Sequence, residues 1–375
     1  MSRGSYERLT TSAAGTAFKT FLHERAPLTA TRFQRAIRAA RRSFREPESQ
    51  RLSDAQLLWN PPPRRSRDWP LVAGDVTNRL FARLSDEDLA LMLRRLAPED
   101  AASWQRADES ERRLLALHFC VHYGVPGVLE RTGLSAAEPP ADVTAMARGS
   151  HAAGGSFYYG DLIADTLKQA GVDLSTRRRA LDFGCSSGRV LRVLAATYPD
   201  VEWFGCDPDG PAVAWAAANL NGAQFSACGV EPPLPFPDKH FDLVFAISIW
   251  THYSELAARR WLDEMQRVIA PGGHLLLTAA GYRSVELYTG DWAGWPPELI
   301  AETATALYTD GHKFVGGYGK HLSLAESSPD WGEAFFTPEW LADNATPAWA
   351  ILNYLPGFVE AHHDLYLLER RSRAD

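Results

Sequence analysis

The sequence predicts an α/β fold: a seven-stranded, mostly parallel, doubly wound sheet preceded by a helical N-terminal region. Three observations carry that expectation. From about residue 150, short apolar runs alternate with amphipathic stretches, the pattern of a parallel sheet covered on both faces. The run Ala180–Leu191 passes from an apolar strand through small residues directly into a helix. A second strand then ends at Asp207, at the spacing of a βαβ unit. At 375 residues and 45% apolar content, the chain has material for two domains with real cores.

Residues 1–145 read as helical, with patches at 28–45, 78–96 and 109–123 separated by Pro61-Pro62-Pro63 and the Pro98 region. Arg32, Arg35, Arg38, Arg41, Arg42 and Arg45 mimic a transit peptide. With Phe33, Ile37 and Phe44 forming an apolar stripe, they read instead as the solvated face of a helix. The Ala, Gly and Pro of Glu138–Gly155 read as a linker. A helix at 158–170 follows. Strands are expected at Arg179–Phe183, Val201–Cys206, Ala223–Cys228, Phe241–Ile247 and His274–Thr278. Helices fall between them at 189–198, 211–219 and 254–270. The last sets Trp261, Leu262, Met265, Val268 and Ile269 on one stripe behind Ser254 as N-cap. The stretch 282–336 is rich in Trp, Tyr and Gly and shows no period. A helix at 337–344 and strands near 348–354 and 364–369 complete the sheet, the last closing by a hairpin into an antiparallel edge pair.

Composition narrows the function. A net charge of −7 and a pI near 5.9 give no support for broad nucleic-acid binding. The cysteines Cys120, Cys185, Cys206 and Cys228 are scattered, with no C-x-x-C pair, which fits a reducing, cytoplasmic setting without disulfides. No run approaches the roughly 20 apolar residues that cross a bilayer. The N-terminus lacks the apolar core of a secretion signal. His118 and His122 share one helix face around Cys120, but apolar neighbours and the want of a nearby third ligand favour core packing, and no metal is expected.

The loop Asp182-Phe183-Gly184-Cys185-Ser186-Ser187-Gly188 carries the chemistry. Its glycines allow tight turning and close approach to a ligand, and the helix behind them opens with unpaired N–H groups. A dinucleotide loop would read G-x-G-x-x-G, and a P-loop would carry a lysine after its last glycine. Here an aspartate precedes the first glycine. That carboxylate repels a pyrophosphate but receives an ammonium, which favours an adenosyl amino acid. Asp207, nineteen residues beyond Gly188, stands where a carboxylate accepts both ribose hydroxyls. The competing reading makes Asp207 a helix cap, a place better filled by Asp209.

That loop resembles the first motif of class I S-adenosylmethionine-dependent methyltransferases. Pro233-Leu234-Pro235-Phe236-Pro237-Asp238-Lys239-His240-Phe241-Asp242-Leu243-Val244 resembles the run into the family's fourth strand. Leu262–Gly273, ending Pro271-Gly272-Gly273, looks like its helix, turn and fifth strand. The three lie in the family's order across about 150–280; the departure is Ser186, where a glycine is common. The resemblance implies S-adenosylmethionine as cofactor. Asp182 and Gly184 would line its methionine part, Asp207 would hold its ribose, Cys228 and Gly229 would flank its adenine, Cys185, Ser186, Gly188 and Pro208 would also bind it, and Ser248 would face cofactor and acceptor. Tyr158 and Tyr159 either close over the cofactor or pack in the core.

Displacement at a sulfonium chiefly needs alignment, and a hydroxyl acceptor also needs a base. His252, just beyond the fourth strand, is the expected catalytic base. The alternative is that it caps or packs against the following helix. Glu255 is a second choice, while His151 and His321 have no spacing in their favour. The 282–336 stretch sits where such enzymes insert an acceptor-binding cap. Ile247–Tyr253, Leu355-Pro356-Gly357 and His363–Leu368 resemble methyltransferases of glycan assembly. The expected reaction is therefore O-methylation of a glycan or other small molecule. The alternatives are N- or C-methylation of a natural product and an inactive scaffold that uses the fold for interaction. The N-terminal region would cover the acceptor opening or mediate a homodimer; the sequence does not choose.

Overall fold

The computed structural model describes residues 73–140, 143, 155–288, 295–316, 328–345, 347–360 and 362–372. The 28–45 patch, the arginine run, the triple proline, His151, His321 and most of the expected linker lie outside them. Among the described residues five helices come first: α1 (Asp75–Phe81), α2 (Asp86–Arg95), α3 (Pro98–Arg106), α4 (Glu109–His122) and α5 (Pro126–Thr132). The single helix expected at 78–96 is two, because Ser85 and Asp88 form a capping box that starts a new helix.

The α/β part opens with α6 (Gly155–Gln169). It continues through β1 (Arg179–Phe183), α7 (Leu191–Thr197), β2 (Glu202–Asp207), α8 (Gly210–Asn219), β3 (Ala223–Ala227) and β4 (Phe241–Ala246). Next come α9 (Glu255–Val268), β5 (Ile269–Ala280), α10 (Tyr282–Tyr288), α11 (Pro297–Asp310), β6 (His312–Gly316) and β7 (Gly332–Phe336). The chain closes through α12 (Pro338–Ala345), β8 (Trp349–Val359) and β9 (His363–Arg370). Strands β3-β2-β1-β4-β5 run parallel, and β9 lies antiparallel between β5 and β8, completing the seven expected from sequence. The β6–β7 hairpin extends the same sheet to nine strands, with β7 meeting β5 at Phe335–Ala280, beyond the end of β4. It belongs to the stretch 282–336 that has no period in sequence.

One face of the sheet is covered by α6 and α7, with Ile163, Leu167, Leu191 and Leu194 packed on Leu243 and Phe245. Val76, Leu80, Leu114 and Leu117 of the N-terminal helices join that cluster. The other face carries the α9 stripe, where Trp261, Leu262, Met265 and Val268 meet Trp250, Phe336 and Trp340. Ser254 caps α9 as its position predicts.

Polar ties fix α1 to this body. Buried Asp161 of α6 accepts the N–H groups of Gly74 (3.0 Å) and Thr77 (2.9 Å) and the Thr77 hydroxyl (2.6 Å), capping α1 from another helix. Arg192, buried in α7, donates to the carbonyls of Ser135 and Ala137. On α4 Cys120 is buried and His118 half-buried, and desolvation pushes the His118 pKa down to about 4. No helix among the described residues is long and apolar enough to cross a membrane.

Candidate cofactor site

The parallel strands deliver their C-terminal tips to one edge of the sheet, where open α/β folds bind ligands. At the β1 tip the chain turns through Gly184 (φ +85°) and Gly188 (φ +75°) into α7. A Cβ at Gly184 would lie only 2.2 Å from Ile249 Cδ1, so the β4 loop can close over the turn only with glycine there. The Gly184 and Cys185 N–H groups donate to the Cys206 carbonyl at 2.9 and 3.1 Å, anchoring the loop to β2.

Asp207 ends β2 and ties two loops together. One of its oxygens accepts the Ser186 N–H and the other the Asp209 N–H, both at 2.8 Å. Burial raises its pKa against the pull of those donors. The cap of α8 is Asp209, whose side chain accepts the Ala212 N–H. Asp182, 4% exposed, differs: among the described residues nothing donates a hydrogen bond to its carboxylate. Burial first, and the Asp207 charge second, raise its pKa well above the carboxylate range, with Arg189 opposing. A buried carboxylate so placed is a costly arrangement that a cationic ligand would relieve.

Ser186 occupies the left-handed region (φ +47°), which costs a non-glycine residue about 1–2 kcal/mol, and its buried hydroxyl has no partner among the described residues. Cys228 follows β3, its N–H on the Asp207 carbonyl at 3.1 Å, with Gly229 next. Ser248 follows β4 in the left-handed region (φ +60°). Its N–H donates to Thr278 Oγ1 at 2.6 Å, and its hydroxyl lies 3.3 Å from that of Thr251. Asp182, the 184–188 loop, Asp207-Pro208, Cys228-Gly229 and Ser248 thus gather on the tips of four adjacent strands.

Residues 180–273 match a family described as methyltransferase domain. Residues 180–273 therefore form a methyltransferase domain. Relatives of that kind include probable tRNA methyltransferase 9B of Mus musculus, 37% identical over 97 residues covering 26% of this chain and 20% of the relative. Fatty-acid O-methyltransferase of Mycolicibacterium smegmatis is 29% identical over 183 residues, 48% of this chain and 63% of its own length. Trans-aconitate 2-methyltransferase of Methylobacterium nodulans is 34% identical over 115 residues, 30% of this chain and 41% of the relative. This chain therefore spans less than two thirds of each of these relatives. Among solved structures, a SAM-dependent methyltransferase from Aquifex aeolicus is 16% identical, with a TM-score of 0.34 over 54% of this chain and 87% of its own.

S-adenosylmethionine is the cofactor of this domain class, and the residues fit it. A buried carboxylate with no hydrogen-bond donor among the described residues stands at the first strand tip and suits an ammonium. An orphaned hydroxyl and a glycine turn line the approach, and a second carboxylate stands at the neighbouring tip.

In the methyltransferase domain, His252 does not cap α9, since Ser254 does. Its ring stacks on Trp331 of the hairpin (4.8 Å, 24°), and its Nδ1 lies 2.9 Å from the Gly332 carbonyl. A ring nitrogen facing a carbonyl must carry the hydrogen, so the neutral ring keeps its acceptor lone pair on Nε2. Glu255 is the weaker base. Burial alone would raise its pKa, but hydrogen bonds from Trp340 and Arg259 bring it below the ordinary value.

Tyr158 and Tyr159 meet a partner that the sequence does not announce. The Tyr159 hydroxyl donates to the Glu360 carboxylate, and Tyr158 accepts the Glu360 N–H at 3.1 Å. Both tyrosines thus lock α6 to the β8–β9 turn, with the Arg189 guanidinium 5.3 Å from the Tyr159 ring centre.

Proposed function

We propose that this chain is an S-adenosylmethionine-dependent O-methyltransferase acting on a small-molecule or glycan hydroxyl. The observation that carries the cofactor half is the buried carboxylate of Asp182, without a donor among the described residues, one strand from Asp207. Asp182 receives the amino-acid ammonium. Asp207 spends one lone pair of each oxygen on the loops and keeps the others for the ribose hydroxyls. Cys228 and Gly229 flank the base, and the Ser186 hydroxyl faces the amino-acid end. When bound, the cofactor supplies a methyl group on a positively charged sulfur, already activated for displacement.

His252 then removes the acceptor's proton through Nε2. The Gly332 carbonyl fixes the tautomer and steadies the imidazolium that forms. The kinship with a fatty-acid O-methyltransferase, which reaches across 48% of the chain, supports oxygen as the atom methylated. The N-terminal helices, packed on α6 and α7, would mediate a homodimer or cover the acceptor opening. Four free cysteines support a reducing, cytoplasmic setting.

The test is incubation with methyl-labelled S-adenosylmethionine and fractionated small-molecule and glycan extracts, followed by mass analysis. A product heavier by one methyl group on oxygen is expected. Label on nitrogen, on carbon or on tRNA, or no label in any fraction despite cofactor binding, overturns the reading.

A further inference from the structure

Two of the four cysteines stand on neighbouring strand ends at the cofactor cradle. Cys206 is wholly buried near the end of β2, and its carbonyl is the anchor of the Gly184 and Cys185 N–H groups. Cys228, partly exposed, lies just past β3 and packs against the core cluster that contains Cys206. The register pairs Cys206 with Ser226, so residue 228 falls on the same face of the sheet as Cys206. The Cys228 thiol lies near enough to help push the Cys206 pKa up. Cys185 packs in the cluster on the opposite face, and Cys120 is enclosed in the N-terminal helices. Nothing in methyl transfer calls for sulfur at either 206 or 228.

We propose that Cys206 and Cys228 form an oxidisable dithiol, a modification site for peroxide whose closure to a disulfide disables the cofactor cradle. The consequence rests on the cofactor reading above; the thiol chemistry does not. The reachable Cys228 attacks as thiolate, the peroxide O–O bond breaks, and one oxygen stays on sulfur as a sulfenic acid while the other leaves as water. The Cys206 sulfur, giving up its proton, displaces the sulfenic oxygen, forming the S–S bond and releasing a second water. Two thiols lose two electrons and one peroxide is reduced. A disulfide bond of about 2.05 Å is far shorter than a thiol–thiol contact, so the tips of β2 and β3 must draw together. That displaces the Cys206 carbonyl and Asp207, the two groups that hold the 184–186 loop. Bound cofactor at the β3 tip shields Cys228.

The test uses full-length protein treated with hydrogen peroxide, with and without S-adenosylhomocysteine, then alkylated and digested with trypsin. The peptide Val193–Lys239 contains both cysteines and no internal Lys or Arg, while Cys185 falls in Ala180–Arg189. After peroxide, Val193–Lys239 should lose two hydrogens and refuse both alkyl groups. S-adenosylhomocysteine affinity should drop at least tenfold and return on reduction, and ligand present during treatment should protect. Comparing each variant with itself before and after peroxide, Cys228→Ser loses the effect and Cys185→Ser keeps it. Full alkylation of both cysteines after peroxide overturns the proposal, as does a disulfide that leaves affinity unchanged. Untreated protein that binds no S-adenosylhomocysteine would sink the cofactor reading instead, and the peptide mass would still judge the dithiol.

Discussion

Replacing Asp182 by Asn should make the protein more stable and the ligand weaker at the same time. The Asp182 carboxylate is buried, lacks a donor among the described residues and faces the Asp207 charge. Its pKa is raised by folding, so its contribution to stability is complete below the ordinary carboxylate value and is lost as pH rises through the raised one. Above the raised pKa the ionised group is a liability. An uncompensated buried polar group costs about 1–3 kcal/mol, so Asp182→Asn should raise Tm by a few degrees wherever the wild-type carboxyl is ionised. In acid, where both proteins are neutral at this site, the gain should vanish. Cofactor binding moves the other way. Loss of a charge-assisted hydrogen bond of about 1.5–3 kcal/mol weakens S-adenosylhomocysteine roughly ten- to a hundredfold. Wild-type affinity should fall as pH drops through the raised pKa, and the variant should be flat across the same window. Calorimetric titration and thermal melts from acid to neutral pH measure both quantities. A variant less stable than wild type, with affinity unchanged, would refute the reasoning, because Asp182 would then be an ordinary structural residue.

Asp207→Ala should lower both quantities, since that carboxylate holds the Ser186 and Asp209 N–H groups as well as facing the ligand; a drop in Tm together with a roughly ten- to hundredfold loss of S-adenosylhomocysteine affinity is expected by melting and calorimetry. His252→Ala should reduce kcat by about a hundredfold or more while the cofactor Kd stays within a few-fold. Near-normal turnover would remove His252 as the base. Asp161→Ala strips three hydrogen bonds from the start of α1 and should cost about 2–4 kcal/mol, with faster hydrogen exchange over residues 74–81 and little change in cofactor affinity.

The strands β1 to β4 are legible because each is a short apolar run ending in small or acidic residues, and α9 because its stripe is unbroken. The start of β5 is not, since α9 passes at Ile269 directly into the strand without a break in apolar character. Helix α3 buries none of its residues and so has no apolar period, and its Pro98, which reads as an interruption, is a helix start. Helix α5 is only seven residues long, flagged by nothing beyond Pro126 and the left-handed Gly133 at its two ends. The β6–β7 hairpin escaped because β6 is half-buried along its length, giving no alternation, while β7 is buried throughout. In the site, the two aspartates stand out because their place at strand tips follows from local pattern. The Gly332 carbonyl on His252 and Glu360 on the two tyrosines are contacts between segments 80 and about 200 residues apart, which no local rule anticipates.

The most direct test of the two-carboxylate cradle compares S-adenosylhomocysteine with 5′-methylthioadenosine, which keeps the nucleoside and lacks the amino acid. Wild-type protein should bind the full ligand roughly ten- to a hundredfold more tightly, and Asp182→Asn should close most of that gap. Equal affinity of wild-type protein for the two ligands would contradict the account.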